Sequence, residues 1–286
     1  MHFINLNPLI YRENTQFTKL TLSRTYDPQQ RRYSRRIEKP TTSIEEWRAN
    51  LGFLSLEKTK ETIANTTQYI TSTEGEIGEY MRDYHKTHVF ALQSRRLDDT
   101  LYVDCFFSSI RSIRGFTCFQ MHAMKQSKLS ITTNLRKECH APDAYTDFII
   151  NYGAPNKTVS DNAQVYLGNK WTTINRKYCI ERGQTVPYHQ SSNYAENEGG
   201  NRKYWLVKLL HNTPHAPLMY WCFAMDFLNS VGKFISKTSL GGKCAAELVK
   251  GETPDISCYR FPWFSPIWFY APNLDFPKDR MLPGFF

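Results

Sequence analysis

Between residues 100 and 135 the chain carries three apolar runs separated by turn-like breaks: TLYVDCFFSSI (100–110), GFTCFQMHAM (115–124) and KLSITTNL (128–135). Their aromatic and β-branched content predicts three buried strands. In APDAYTDFIINYGA (141–154), Tyr145, Phe148 and Ile149 fall at i, i+3 and i+4, which predicts a helix closed by Gly153 and Pro155. A strand at KTVSDN follows, then a single helix over AQVYLGNKWTTINRKYC and a short extended piece at QTVPYH. NYAENEGGNRKYWLVKLLHN reads as a helix, and a long one is expected from Pro217 to about Leu240. Upstream, Ser43 with Glu46 three residues on, and Ser55 before Lys58, are helix-start signals. No internal repeat is present. The succession predicts an α/β domain, a sheet covered by helices. The expected layout is a basic arm, taken to be disordered, over 1–40, a helical module over 41–97, the α/β core over 98–250, and the start of a truncated C-terminal region over 251–286.

Composition narrows the class. The 286 residues are 41% hydrophobic and 22% charged, as in an ordinary globular protein, but the net charge is +9. Such a surplus favours polyanionic partners, although solubility alone also accounts for it. Residues 31–36, RRYSRR, concentrate the positive charge in the arm. The seven cysteines are widely spaced without a CxxC pair, which argues for reduced thiols in a nuclear or cytoplasmic setting. No signal peptide is expected at the N-terminus. The most apolar window, 216–235, contains Asp226, Asn229 and Lys233 and reads as a buried helix, so no membrane partner is expected.

Three acids change the picture. Asp104 interrupts the first apolar strand, Asp161 ends the fourth, and Glu196 falls in the first turn of a helix. Each has a bland explanation: a bulge or edge position, a helix cap, and a favourable interaction with the helix dipole. Taken together, a strand middle, a neighbouring strand end and a helix start can face one point. Three carboxylates gathered there repel one another unless divalent cations neutralise them. Magnesium prefers such oxygen ligands, and two ions ~3.5–4 Å apart support phosphoryl transfer.

At these residues the chain resembles the integrase core of long-terminal-repeat retrotransposons of the copia and gypsy kind. Asp104, Asp161 and Glu196, with 34 residues between the last two, resemble that group's Asp, Asp, Glu signature. LYVDCFFSSIRSIRGFTCFQMH resembles its first two strands. NYGAPNKTVSDNAQ is similar to its G-x-P-x-x-x-x-S-D-x-A stretch, and PYHQSSNYAE to its P-Y-S-P-x-Q-N-x-A-E, in register at Pro187, Tyr188, Asn193, Ala195 and Glu196. GETPDIS (251–257) and the stretches EEWRANLGF and TIANTTQY extend the likeness over roughly residues 45–284. The resemblance implies a ribonuclease H-like fold with a mixed five-stranded sheet. It also implies metal-dependent processing of element DNA ends and their joining to target DNA. Asp104, Asp161 and Glu196 would hold two Mg2+ or Mn2+ ions, and the enzyme would act as a homo-oligomer on DNA. Lys203, Arg202 and Asn193 are the expected DNA contacts, Lys203 because i+7 returns it to the face of Glu196.

The chain also departs from that pattern. His189, Gln190, Ser191 and Ser192 replace the family's loop residues, and Gly199 with Gly200 are expected to loosen the turn that aims Glu196, the alternative being that their bare backbone lets a phosphate come close. His85 and His88 form an H-x-x-H with no CxxC after it, so no zinc is expected. Two alternatives stay open: a catalytically degraded, DNA-binding remnant of such an integrase, and a ribonuclease H-like nuclease that only cleaves.

Overall fold

The computed structural model describes residues 42–68, 94–184, 194–251, 253–270 and 281–286, together with strand backbone at 10–11, 22–27 and 32–37. The expected arm over 1–40, apart from those strands, and the residues His85, His88 and His189 to Asn193 lie outside the described residues. Two compact units emerge: Met81–Pro254, and Met1–Tyr80 joined with Asp255–Phe286.

The second of these holds the two expected capped helices. In Ile44–Asn50, Ser43 Oγ accepts the Glu46 amide while the Glu46 carboxylate accepts the Ser43 amide, closing a capping box. Ser55 Oγ accepts the Lys58 amide at the start of Leu56–Asn65. Further along, Pro266–Tyr270 pairs antiparallel with Met281–Phe285 and with Ile10–Tyr11.

The Met81–Pro254 unit contains the sheet. Counted within this unit, its elements are β1 (Arg96–Phe107), β2 (Cys118–Met124), β3 (Ser130–Leu135), α1 (Ala141–Tyr152), β4 (Ala154–Ser160), α2 (Gln164–Leu167), α3 (Asn169–Lys177), β5 (Glu181–Gln184), α4 (Tyr194–His211), α5 (Trp221–Gly232) and α6 (Ala245–Lys250). The strand order is β3-β2-β1-β4-β5. β1, β2 and β3 pair antiparallel, whereas β4 and β5 join in parallel through helical crossovers. This mixed five-stranded sheet flanked by helices is the ribonuclease H-like architecture.

Alternation along β1 sorts its side chains to two faces. Leu101 and Val103, with Met124 on β2, enter a large core with Tyr145, Phe148 and Ile149 of α1 and Trp171 of α3. Tyr102 and Phe106 pack instead with Met121 and Ala123 of β2 and with Tyr194 and Ala195 of α4. β2 is buried along its whole length, as expected for a strand covered on both faces. Gly153 ends α1 at φ +126°, and a Cβ there would stand 2.7 Å from the Arg95 carbonyl oxygen. The turn from α1 into β4 therefore needs glycine for both backbone conformation and space.

Two sequence expectations are corrected. The helix expected over 163–179 is broken at Gly168, whose extended backbone (φ −66°, ψ 158°) ends α2 and precedes α3. The long helix expected from Pro217 to about Leu240 is α5 alone, preceded by a 3-10 turn at Leu218–Tyr220. After Gly232 the chain turns back, so that Ser236 bridges Cys244 and Ser236 Oγ donates to the Gly242 carbonyl. Local apolar content runs on past this point, but tertiary pairing ends the helix.

Candidate active site

β1 places Asp104 on the same face as Tyr102 and Phe106, directly opposite Met121 of β2. The parallel register between β1 and β4 ends at Leu101 with Thr158 and Tyr102 with Val159. Continued by two residues on each strand, it brings Asp161 beside Asp104. Glu196 lies in the first turn of α4, exposed, on the helix that covers this face. All three expected positions are thus realised: a strand interior, a strand end and a helix start.

The charges of Asp161 and Glu196 both act on Asp104. The Asp104 carboxyl is pushed up from 3.8 to about 6, first by burial, then by the negative charge of Asp161; Glu196 raises it further. Two effects oppose the rise: the Cys105 amide donates to Asp104 Oδ1 at 2.8 Å, and the Lys203 ammonium lies close enough to favour the charged form. Asp161 also fulfils its bland role, because Oδ1 accepts the Ala163 amide at 3.1 Å just before α2. Among the described residues, no three His, Cys, Asp or Glu side chains form a ready-made metal-holding group.

The donor set still suits a hard divalent cation. It consists of carboxylate oxygens, and the central one is half-buried and carries an energetic penalty for its charge that a cation would remove. Asp104, Asp161 and Glu196 are the residues that would hold it.

The floor of the site explains one glycine of the pair. A Cβ on Gly199 would stand 2.1 Å from Phe106 Cζ, so only glycine lets α4 lie directly on that ring. Phe106 is itself stacked on Phe119, with ring centroids 5.3 Å apart. Gly200 meets nothing within 4 Å and is exposed. The helix runs unbroken through both, which corrects the expected loosening: Gly199 brings the helix in close.

The expected DNA contacts divide. Lys203 is exposed, its ammonium 4.5 Å from the centre of the Phe106 ring and near Asp104. Arg202 is corrected. It is 4% exposed, and its guanidinium donates to the Leu228 carbonyl (2.6 Å) and the Ser130 carbonyl (2.8 Å), tying α4 to α5 and β3. It belongs to the buried stripe Ala195, Gly199, Arg202 and Leu209, whose helical spacing is visible in the sequence. Glu198 bonds Tyr194 and acts on Arg202, away from the acid cluster.

One contact carries no signal in the sequence. Tyr166 of α2 is fully buried, and its hydroxyl donates to Cys105 Sγ at 3.3 Å, immediately behind Asp104. Burial pushes the Cys105 thiol up to about 12 and the Tyr166 hydroxyl well above its ordinary value, so both stay protonated.

Comparison with solved structures gives distant likenesses to integrases. The chain is similar to the HTLV-2 integrase catalytic core domain in complex with magnesium in its trimeric form, at 18% identity and TM-score 0.42, covering 54% of this chain and 99% of that one. The dimeric form gives 18% identity, TM-score 0.40, and coverage of 55% and 99%. The simian T-cell lymphotropic virus intasome in complex with PP2A regulatory subunit B56 gamma gives 17%, 0.44, 66% and 68%. No family model and no curated protein matches the chain.

Proposed function

We propose that the chain is an integrase of the retrotransposon type, a divalent-metal-dependent polynucleotidyl transferase that processes DNA ends and joins them to target DNA. One observation carries the reading: Asp104, in the interior of β1, is half-buried and crowded by Asp161 and Glu196 at the positions the Asp, Asp, Glu signature requires. A cluster assembled from three separate elements, at a cost in charge repulsion, is hard to explain by packing alone.

In this reading Asp104, Asp161 and the exposed Glu196 would hold the divalent cations. A bound magnesium or manganese pair would supply an activated water or hydroxyl and a counter-charge for the leaving oxygen. Lys203 meets a DNA phosphate beside the acids, and Phe106 holds its ammonium near the cluster. Asp161 Oδ1 still accepts the hydrogen bond from the Ala163 amide, which fixes the direction of the carboxylate. The reading includes assembly as a homo-oligomer on element ends and target DNA. It also places the enzyme in a nuclear or cytoplasmic compartment, where seven free thiols would stay reduced. No helix among the described residues is long and apolar enough to cross a membrane.

The test is a strand-transfer assay on the 286-residue chain with a hydroxyl-ended duplex, in magnesium and in manganese, beside Asp161→Asn. Joined product from the parent chain is expected, with a loss on the order of 10³-fold in the variant, equivalent to about 4 kcal/mol. Cleavage without joining would identify a nuclease. DNA binding without either reaction would identify a degraded remnant. Equal activity in both proteins would remove Asp161 from the metal site.

A further inference from the structure

The residues behind the acid cluster are held as tightly as the cluster is exposed. Tyr166 is 0% exposed and belongs to α2, the short helix that Asp161 introduces through its bond to the Ala163 amide. Its ring meets Trp171 edge-on, with centroids 4.8 Å apart, and Trp171 is stacked on Tyr145 at 4.3 Å. The Tyr145 hydroxyl in turn bonds Thr158 Oγ1 on β4 at 2.6 Å and donates to Asn175 Oδ1 of α3 at 3.0 Å. The aromatic group is therefore anchored to the strand that leads into Asp161. From that anchored group a hydrogen bond reaches β1: Tyr166 Oη to Cys105 Sγ, 3.3 Å, on the residue next to Asp104.

The position of this bond matters because the backbone ladder stops short. Pairing between β1 and β4 ends at Tyr102 with Val159, before either carboxylate is reached. Beyond that point the two acid-bearing segments have no ladder bond to hold their separation. The Tyr166–Cys105 bond spans that gap from the buried side.

We propose that Tyr166 and Cys105 are positioning residues: their hydrogen bond sets the spacing of Asp104 and Asp161 and so tunes the site's affinity for divalent cations. This rests on the reading of Asp104, Asp161 and Glu196 as metal ligands. Neither Tyr166 nor Cys105 touches the cation. Tyr166→Phe keeps the ring and its stacking while removing the one donor, and Cys105→Ala removes the acceptor. Cys105→Ser keeps an acceptor on the same carbon.

The experiment measures manganese binding to the full chain by loss of the free-ion paramagnetic resonance signal, alongside thermal unfolding. Tyr166→Phe and Cys105→Ala are each expected to weaken manganese binding about 3- to 10-fold, and the double variant no more than either alone, since both remove the same contact. Cys105→Ser is expected to recover at least part of the affinity. The strut is overturned if the parent chain binds manganese and a folded Tyr166→Phe or Cys105→Ala binds it equally well. It is also overturned if the two losses multiply in the double variant. If Tyr166→Phe does not fold, Cys105→Ala against Cys105→Ser decides the matter by the same criteria. A folded parent chain that binds no manganese removes the metal-site reading itself, and the strut with it.

Discussion

β1 is lined differently on its two sides. Toward α1 and α3 it meets a deep aromatic core, in which Tyr145, Trp171 and Tyr166 interlock and two tyrosine hydroxyls reach back to the sheet. Toward α4 the packing is thin: Ala123 and Ala195 are small, and Gly199 has no side chain at all where the helix crosses Phe106. The thick face supplies apolar burial, the main driving force for folding. On the thin face, small residues exchange that burial for proximity, letting Glu196 and Lys203 approach Asp104. Stability and chemistry are thus divided between opposite sides of one strand.

That division can be broken from either side. The largest expected effect on stability is on the thick face: Trp171→Ala empties a fully buried ring position and should cost about 3–5 kcal/mol in denaturant unfolding. On the thin face, Gly199→Ala should cost about 1–3 kcal/mol by overpacking against Phe106. It should also reduce strand transfer, because α4 has to lift. Adding Phe106→Leu should restore part of both losses; no recovery in the double variant would disconnect Gly199 from Phe106.

Acid sharpens the contrast. The Asp104 carboxyl titrates near 6 in the folded chain instead of 3.8, so its neutral form favours the fold. Its contribution is fully present below about pH 4 and is lost as pH rises through 6. With chelator present, this amounts to about 1–2 kcal/mol between pH 4 and 7, after discounting for partial solvent access. Asp104→Asn should abolish that component of the pH dependence and raise stability at pH 7, measured by unfolding at both pH values. The smallest effect is expected at Gly200, which faces open space: Gly200→Ala should stabilise the chain by up to about 1 kcal/mol through helix propensity, with thermal unfolding as the check.

The thick face was largely legible in the sequence, because alternation in β1 and the Tyr145, Phe148, Ile149 spacing report burial directly. The positions of Asp104, Asp161 and Glu196 on their elements were legible too. Two features were hidden. Gly199 looked like a weakness because a glycine's sequence context does not reveal a ring pressed against its α-carbon. The charge of Arg202 suggests a DNA ligand, whereas the buried stripe it falls on, between Gly199 and Leu209, marks a packing position. The reversal after Gly232 goes with the pairing of Ser236 and Cys244, which helical periodicity does not encode, and the break at Gly168 falls inside a run whose composition suits one helix.

The parallel pairing of β1 with β4 has a kinetic consequence. No hairpin can bring Asp104 to Asp161; a long crossover loop has to close first, and Glu196 arrives only with a still later segment. Contacts of such high sequence separation form slowly. In a chain emerging from the ribosome, the three carboxylates therefore meet only once α4 has been synthesised and docked.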